Sequence, residues 1–278
     1  MINPRQPAFL LRLSRQLNLG WTSTAKMFVA YYAGRRRVLG NLFPKVVTLD
    51  LPAWGKVPVR CNGYDLGLLI QIFVRKDYQM EAWGVRRILD LGANIGMSAL
   101  FLHRLFPEAE IACVEPSPAN TPLLKRAMAL NGIRGQVFDG AIGAEPGCVD
   151  LYLSDRPDCN SVIPTGQPDG VVRVPQFSVP QIMERMGWDG IDVLKLDIEG
   201  AEKGLFGSDN SWLSQVRYIT GESHINIGYP YVALRADLEA YGFVLETVIP
   251  ETEDYGASFR GINTRHPAEA RNPAANRE

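Results

Sequence analysis

From residue 86 onward, short apolar runs alternate with longer segments in which apolar residues recur at helical spacing. The short runs are rich in β-branched residues, a pattern typical of strands. The predicted strands are 88–91, 111–114, 136–138, 193–196, 216–219 and 243–249. The predicted helices are 96–106, 118–131, 178–186, 201–206 and 231–241. This alternation predicts an α/β fold of the doubly wound, Rossmann-like type, with helices on both faces of a mainly parallel sheet.

Residues 8–19 predict an amphipathic helix, because apolar side chains recur at helical spacing with basic and polar residues between them. These apolar residues are Phe9, Leu10, Leu13 and Leu17. Residues 1–49 contain eight basic residues and no acidic one, although the whole chain has a formal net charge of −1. Three interpretations of this basic segment are open: a helix that caps the core, a peripheral membrane contact through residues 8–37, and a transit peptide that is cleaved.

Three further stretches have patterns of their own. Residues 46–60 alternate weakly and indicate a hairpin or an edge structure, and residues 66–74 indicate a buried helix. The hydrophilic stretch 154–170 is predicted to be a surface loop. The runs on its two sides are predicted to pair as a hairpin, and they cover 148–153 and 171–174.

Composition limits the class of protein. The chain has 278 residues, of which 46% are hydrophobic and 21% charged, and this balance excludes global disorder. No apolar run is long enough to span a bilayer and no secretory cleavage site is visible, so we expect a cytoplasmic protein whose membrane association is at most peripheral. The predicted division of the chain is a helical and hairpin extension at 1–85, the α/β domain at 86–263 and a flexible tail at 264–278.

The most informative segment is ILDLGANIG at 88–96, where a predicted strand runs into glycines and a helix follows. This layout is typical of nucleotide-binding loops in doubly wound folds, because glycines let the backbone approach a ligand. The spacing of Gly92 and Gly96 is not the GxGxxG of dinucleotide folds. Asp90 is expected at the strand end, where its carboxylate would repel a pyrophosphate but attract the cationic amino-acid portion of a sulfonium cofactor.

A second acid stands at the end of the next predicted strand. Glu115 follows Gly92 by 23 residues, close to the spacing of about 20 that is typical of an acid binding a ribose diol. Neither motif contains a Lys or Arg that would neutralise a phosphate. The two motifs together favour S-adenosylmethionine over NAD as the cofactor.

Three segments resemble one family. ILDLGANIG, CVEPSPAN at 113–120 and IDVLKLDIEGAE at 191–202 are similar to class I S-adenosylmethionine-dependent methyltransferases, and more narrowly to the FkbM-type O-methyltransferases. The stretch CNGYDLGLLIQIFVRKDY at 61–78 resembles that family's entry segment, and the resemblance covers about residues 60–250. It implies a seven-stranded sheet with an antiparallel last strand, S-adenosylmethionine as donor with S-adenosylhomocysteine as product, and a hydroxyl acceptor on a sugar, glycolipid or polyketide-type molecule.

By position in these motifs, the resemblance also assigns residues to the cofactor. The glycine loop would hold the methionine and ribose end, Glu115 the ribose hydroxyls, and one of Asp139, Gly140 and Ala141 would lie near the adenine. The implied cofactor-binding residues are Asp90, Gly92, Ala93, Asn94, Gly96, Glu115, Pro116, Ser117, Asn120, Asp139, Ala141 and Asp197.

Methyl transfer to an alcohol requires the protein to orient the acceptor and remove a proton, and groups for this work are expected at the carboxyl ends of central strands. The predicted catalytic residues are Lys195, Asp197, Glu222 and His224. Lys195 and Asp197 share one face of a strand, and a lysine inside an apolar strand needs a carboxylate partner. A neutral His224 is suited to accept a proton. Glu199 and Glu202 are interpreted as first-turn acids of a helix.

A divalent cation such as Mg²⁺ is a second interpretation of the same residues. Asp197 and Glu222, together with His224, would offer the few ligands that Mg²⁺ takes beside substrate oxygens. Two other functions are open: an NAD-dependent oxidoreductase on a similar sheet and a non-catalytic cofactor-binding module. The expected partners are a small-molecule or glycan hydroxyl acceptor and a second copy of the chain in a homo-oligomer. Nucleic acid is not expected, because the body of the chain is acidic.

Overall fold

The structure is a computed structural model that describes residues 7–33, 44–154, 160–164, 167–207, 209–224, 229–252 and 256–268. The chain begins with two helices, a hairpin and a third helix. Their bounds are α1 Pro7–Gln16, α2 Trp21–Ala33, β1 Val46–Leu51, β2 Gly55–Arg60 and α3 Asp65–Leu69. The predicted buried helix at 66–74 is this α3 together with a π-helix over Ile70–Arg75 that continues it.

The α/β region follows the predicted alternation of strands and helices. Its first half contains β3 Arg87–Leu91, α4 Met97–Leu105, β4 Glu110–Glu115, α5 Thr121–Asn131, β5 Gly135–Asp139, β6 Ala141–Ile142, β7 Gly147–Leu153 and β8 Gly170–Phe177. Its second half contains α6 Val179–Met186, β9 Ile191–Leu196, α7 Glu202–Leu205, β10 Val216–Glu222, α8 Tyr231–Ala240, β11 Phe243–Ile249 and β12 Ser258–Asn263. A 3₁₀ turn over Ser211–Gln215 leads into β10.

Seven strands form one mixed sheet in the order β11-β12-β10-β9-β3-β4-β5. The pairs from β10 to β5 are parallel, whereas β12 is antiparallel to both of its neighbours. The expected seven-stranded sheet with an antiparallel last strand is therefore confirmed. The hydrophobic pattern did not locate β12, because Arg260 and Gly261 interrupt its apolar residues.

A second, smaller sheet has the order β6-β8-β7. β7 and β8 pair antiparallel, which confirms the predicted hairpin. Between them, Ser161 forms a bridge with Tyr152, so this part of the predicted loop lies against β7. Residues 155–159 and 165–166 of the predicted loop lie outside the described residues.

Alternate residues of the central strands face two different cores. Ile88, Ile111 and Val193 belong to one core and Leu89 and Leu194 to the other, and all five are fully buried. Burial on both faces explains the continuous apolar runs of these strands. The carboxyl ends of β3, β4 and β9 meet at one edge of this sheet, where polar side chains can gather.

The first two helices pack on the core that contains Ile88. Leu10 and Leu13 of α1 and Leu17 just after it are at most 4% exposed, and burial of each contributes about 1.5–3 kcal/mol. The apolar face that a membrane contact would use is thus buried within the fold, in agreement with the cap interpretation. Residues 34–43 lie outside the described residues. In the part of the chain that the structure describes, no helix is long and apolar enough to cross a membrane.

The division of the chain into three parts stays a prediction. The extension shares one hydrophobic core with α4, α5 and the sheet. At the other end, residues 264–268 form a turn in which the Thr264 N–H donates to the Gly242 carbonyl at 3.0 Å. Residues 269–278 lie outside the described residues.

Candidate active site

The glycine loop between β3 and α4 lies against the end of β9. Gly92 has a φ of +77°, and a Cβ added there would lie 1.7 Å from the backbone oxygen of Asp197. The N–H groups of Gly92 and Ala93 both donate to the Val114 carbonyl, each at 3.0 Å, and tie the loop to β4. Gly96 also has a positive φ, and its lack of a side chain lets α4 begin close to α5. The loop follows this path because these two positions carry no Cβ.

Gly92→Ala is expected to lower the free energy of unfolding by about 2–3 kcal/mol, because it adds a left-handed backbone penalty and a clash with a backbone carbonyl. Gly132→Ala is the matched control: Gly132 has a φ of +63°, but nothing lies within 4 Å of an added Cβ. The control should cost about 1 kcal/mol. Urea denaturation measures both losses, and equal losses would show that the close approach to Asp197 is unimportant.

Glu115 is buried at the end of β4, and both of its carboxylate oxygens are held. Oε1 accepts hydrogen bonds from the Ser117 N–H at 2.9 Å and Asn120 Nδ2 at 3.1 Å, and Oε2 accepts one from the Asn94 N–H at 2.9 Å. Burial raises the pKa of Glu115, while these three hydrogen bonds act in the opposite direction. The carboxylate is thereby fixed in one orientation, with lone pairs left for the hydroxyls of a ligand.

A cavity that is open to solvent borders the glycine loop and Glu115. The predicted cofactor residues that line it are Gly92, Asn94, Glu115, Pro116, Asn120, Ala141 and Asp197. Ile142, Leu151 and Val162 add an apolar wall. Among the described residues, no Lys or Arg lines the cavity, and the buried Oδ1 of Asn94 has no hydrogen-bond partner.

The predicted cofactor residues that do not line the cavity are Asp90, Ala93, Gly96, Ser117 and Asp139. Asp90 is fully buried and accepts a hydrogen bond from Ser98 Oγ at 2.6 Å, so its carboxylate does not face a ligand as the sequence suggested. Asp139 is half exposed and forms an ion pair with Lys125 of α5 at 2.5 Å. Of the three residues predicted near the adenine, Asp139, Gly140 and Ala141, only Ala141 lines the cavity.

Lys195 lies in β9 directly beneath the glycine loop. Its Nζ donates to the Leu91 carbonyl at 3.1 Å and the Gly92 carbonyl at 2.6 Å, and lies 3.1 Å from Asp90 Oδ1. Burial lowers the pKa of Lys195, but the Asp90 and Asp197 carboxylates outweigh it and raise that pKa. A charged ammonium group whose three protons face these partners is not suited to be a base. The contacts therefore favour a role in holding the loop over the predicted catalytic role.

Three carboxylates surround His224 beyond the ends of β9 and β10, and we call these four residues the His224 cluster. Nδ1 of His224 lies 2.7 Å from Glu202 Oε1, and Nε2 lies 3.4 Å from Asp197 Oδ1 and 3.7 Å from Glu199 Oε2. Asp197 and His224 were predicted to act together. Glu202 is the first residue of α7, as expected of a first-turn acid. Glu199 does not belong to the helix, because it lies in the preceding turn with a φ of +50°. The short connection from β9 to α7 brings both acids to His224.

The charges of the His224 cluster depend on one another. Burial lowers the pKa of His224, but the carboxylates of Glu202, Glu199 and Asp197 outweigh it and raise that pKa to about 10. Burial raises the pKa of Asp197, but Lys195 and His224 outweigh it and hold that pKa below its usual value. Burial and the neighbouring acids raise the pKa of Glu199 to about 8, although His224 opposes them. The imidazole is thus a cation at neutral pH, and not the neutral base that the sequence suggested.

His224 is expected to remain protonated at about pH 8 in metal-free protein, well above the usual titration range of histidine. His103 serves as an internal control, because burial and the nearby Arg104 and Arg134 lower its pKa. Imidazole ¹⁵N chemical shifts measure the protonation states of both histidines in one sample. The signals are assigned with His224→Gln and His103→Gln. A neutral His224 at that pH would contradict the charge assignment, and His224 would again be a candidate general base.

Two contacts to the site come from the segment before β3. Tyr78 Oη donates to Asp197 Oδ2 at 2.7 Å, and Gln71 Nε2 donates to Glu222 Oε1 at 2.5 Å. Burial, together with the charge of Asp197, raises the pKa of Glu222 to about 7. Gln71 lies in the π-helix, an irregularity that is frequent at functional sites. Hydrophobic periodicity does not mark either residue, and the resemblance of 61–78 to an entry segment was the only signal for them.

The group that offers ligands for a cation differs from the predicted pair. One ligand atom each of Asp197, Glu199 and His224 lies within 4.8 Å of the others. Glu222 is not part of this group among the described residues, and its Oε1 accepts a hydrogen bond from Gln71. A cation in this place would therefore have Glu199 as its second carboxylate.

Comparison with known proteins identifies relatives of the chain. The 31-O-demethyl-FK506 methyltransferase FkbM of Streptomyces tacrolimicus is 24% identical over 251 residues, which cover 75% of this chain and 92% of the relative. The 2-O-methyltransferase NoeI of Sinorhizobium fredii (strain NBRC 101917 / NGR234) is 26% identical over 152 residues, which cover 49% of this chain and 62% of the relative. Among solved structures, methyltransferase FkbM from Methylobacillus flagellatus KT has a TM-score of 0.49 at 13% identity, covering 66% of this chain and 45% of that one.

A family model decides the assignment. The model described as the methyltransferase FkbM domain matches residues 90–245, which is more than half of the chain and includes the glycine loop, Glu115 and the His224 cluster. The chain therefore belongs to the FkbM methyltransferase family and is a methyltransferase that depends on S-adenosylmethionine.

Proposed function

We propose that the protein transfers a methyl group to a hydroxyl of a sugar, a glycolipid or a polyketide-type small molecule. The observation that carries the proposal is the position of Asp197, which lines the cavity and also belongs to the His224 cluster. A donor in the cavity and a hydroxyl at the cluster would then meet beside one carboxylate. The relatives FkbM and NoeI, whose names describe O-methylation, support the same acceptor chemistry.

The residues around the cavity fit S-adenosylmethionine. The unpartnered Asn94 Oδ1 and the lone pairs of Glu115 offer acceptors to the amino and hydroxyl groups of the donor. The apolar wall of Ile142, Leu151 and Val162 suits a flat base. Since no cationic side chain of the described residues lines the cavity, a pyrophosphate would find no neutralising partner. This charge balance speaks against the NAD-dependent oxidoreductase that the sequence left open.

The protein's own part in the reaction is to orient the acceptor and take its proton. When bound, S-adenosylmethionine supplies a methyl group on a sulfonium that is already activated. The ionised Asp197 is suited to accept a hydrogen bond from the acceptor hydroxyl. The carboxylates of Glu222 and Glu199, with pKa values near 7 and 8, are suited to receive the proton because efficient bases have a pKa close to the working pH. The charged His224 would stabilise the anionic groups around it.

A divalent cation is the second component that we propose for this cluster, with Mg²⁺ as the first candidate. In this cation-bound form Asp197, Glu199 and His224 would hold the metal, and Glu222 would remain to take the proton of the acceptor. Nε2 of His224 would give up its proton on binding, so the imidazole would then be neutral. Glu202 would orient it through Nδ1, as carboxylates commonly do for metal-binding histidines. A cation would balance the excess of carboxylates and lower the pKa of an acceptor hydroxyl. Turnover by EDTA-treated protein that rises on addition of Mg²⁺ would support this component. Equal turnover with and without Mg²⁺ would contradict it.

Two experiments test the proposed function in sequence. Calorimetry with S-adenosylmethionine, S-adenosylhomocysteine and NAD should give binding of roughly micromolar strength for the first two only. Methyl-labelled donor is then incubated with sugars, glycolipids and polyketide-type alcohols, and the position of the label in the product is determined by NMR. A methyl ether supports the proposal. Binding without any product would favour the non-catalytic module, and methylation at nitrogen or carbon would overturn the O-methyltransferase.

Peripheral membrane contact and a homo-oligomer remain predictions. Since Leu10 and Leu13 of α1 are buried, a membrane contact would depend on the exposed side chains of Leu11 and Trp21 and on basic residues. If the full chain and Trp21→Ser float equally with anionic vesicles, the surface around Trp21 does not contribute to membrane binding.

A further inference from the structure

A chain of hydrogen bonds connects the N-terminal extension to the candidate cofactor site. Arg60 at the end of β2 donates from Nη1 to Asn120 Oδ1 at 2.7 Å. Asn120 donates from Nδ2 to Glu115 Oε1 at 3.1 Å. On its other side, the guanidinium group of Arg60 is held by Asp65, with Nη2 to Oδ1 at 2.8 Å and Nε to each oxygen at 3.1 Å.

The chemistry of these groups permits only one direction for the chain. A guanidinium group can only donate, and a carboxylate can only accept, so the amide between them must present its oxygen to Arg60 and its nitrogen to Glu115. Both partners fix this direction, because Glu115 holds the nitrogen of the Asn120 amide and Arg60 holds its oxygen. The orientation of the Asn120 amide is therefore set in part from the extension.

Burial makes this orientation important. Asp65, Asn120 and Glu115 are at most 5% exposed, and the side chain of Arg60 is 13% exposed. Water therefore has little access to replace a lost partner, and a buried polar group without one is costly. The forked geometry of arginine is also needed, because Nε and Nη2 on one edge of the guanidinium group donate to Asp65 while Nη1 donates to Asn120.

We infer that Arg60 is a positioning residue for donor binding, which acts through Asn120 on the carboxylate of Glu115. This inference rests on the proposed function, in which Glu115 holds the ribose hydroxyls of the donor. It assigns the extension a part in donor affinity, beyond the burial of its apolar side chains. Asp65 takes part in the same positioning, because it holds the guanidinium group of Arg60 that in turn orients the Asn120 amide.

Binding of S-adenosylhomocysteine to Arg60→Lys tests the inference by calorimetry on the full chain. A lysine keeps a positive charge beside the buried Asp65, so the variant should fold, but it lacks the second arm that reaches Asn120. The dissociation constant is expected to rise roughly tenfold. Arg173→Met, which removes an exposed ion pair with Asp150 on the small sheet, is the control and should bind as the wild type does.

A double-mutant cycle separates positioning from a general effect on the fold. In the Asn120→Ala background, Arg60→Lys should change the dissociation constant no further, because its route to Glu115 is already cut. Two losses that simply add would overturn the inference, as would unchanged binding by Arg60→Lys. Asn120→Ala leaves the Arg60–Asp65 pair intact and gives a second measurement if Arg60→Lys is unstable. Wild-type protein that does not bind S-adenosylhomocysteine would contradict the proposed function, whereas normal binding by all variants contradicts this inference alone.

Discussion

Lys195→Met is expected to lower the free energy of unfolding by about 3–5 kcal/mol, the loss typical when one partner of a buried ion pair is removed. Lys195 and Asp90 are at most 1% exposed, so the variant would leave the Asp90 carboxylate buried with Ser98 as its remaining close partner among the described residues. The carbonyls of Leu91 and Gly92 would also lose the ammonium group that holds them. The glycine loop should therefore loosen, and donor binding should weaken together with stability.

Lys125→Met is the matched control for this prediction. Lys125 and Asp139 form an ion pair at 2.5 Å, but both side chains are about half exposed, and such surface pairs contribute about 0–1 kcal/mol. Urea denaturation measures the free energy of unfolding of both variants, and unchanged m-values would show that the comparison is valid. Adding Asp90→Asn to Lys195→Met should recover part of the loss, because it removes the uncompensated charge. Similar losses for Lys195→Met and Lys125→Met would contradict the role of burial.

The cofactor side of the site could be predicted from the sequence because its signals are local. Gly92 and Glu115 each stand at a strand end within a short motif, and parallel neighbouring strands bring such ends to the same edge of the sheet. Details of side-chain direction were not predictable. Asp90 and Asp139 also stand at strand ends, but the pleat and the neighbouring helices turn them toward Ser98 and Lys125.

The candidate acceptor side was less predictable, because it is assembled from distant segments. Tyr78 and Gln71 reach Asp197 and Glu222 from the loop after the π-helix and from the π-helix itself. The apolar pattern of 66–74 predicts a helix there, but it does not show which polar side chains reach the site. The charge of His224 depends on three carboxylates that only the folded chain brings together. A sequence reveals that a histidine is present at a strand end, but its pKa is a property of the packing around it.

Asp197→Asn is expected to lower kcat by about 10²–10⁴-fold, because it removes the charged acceptor that we propose orients the hydroxyl at the point of methyl transfer. The amide has nearly the same shape and its oxygen can still accept the hydrogen bond of Tyr78 Oη. Its nitrogen would then face His224 Nε2 in place of Oδ1, so the variant removes the charge and that ion pair together. kcat is measured with donor and acceptor both saturating, so that weaker binding of either does not account for the loss. Tyr78→Phe removes the hydrogen bond to Asp197 but keeps the carboxylate, and it should lower kcat only about tenfold.

Asp192→Asn is the matched control for the loss of kcat. Asp192 lies on the same strand at its other end, where Oδ2 accepts the backbone N–H groups of Arg86 and Arg87 at 2.8 and 2.9 Å. Its replacement should affect stability and leave kcat within about twofold, since ligands of open α/β sheets bind at the carboxyl ends of the strands and Asp192 lies at the opposite end. If Asp197→Asn retained more than about a tenth of kcat, Asp197 would not be the orienting carboxylate. The acceptor hydroxyl would then be held by Glu199 or Glu222, and Glu199→Gln or Glu222→Gln would show the large decrease in kcat.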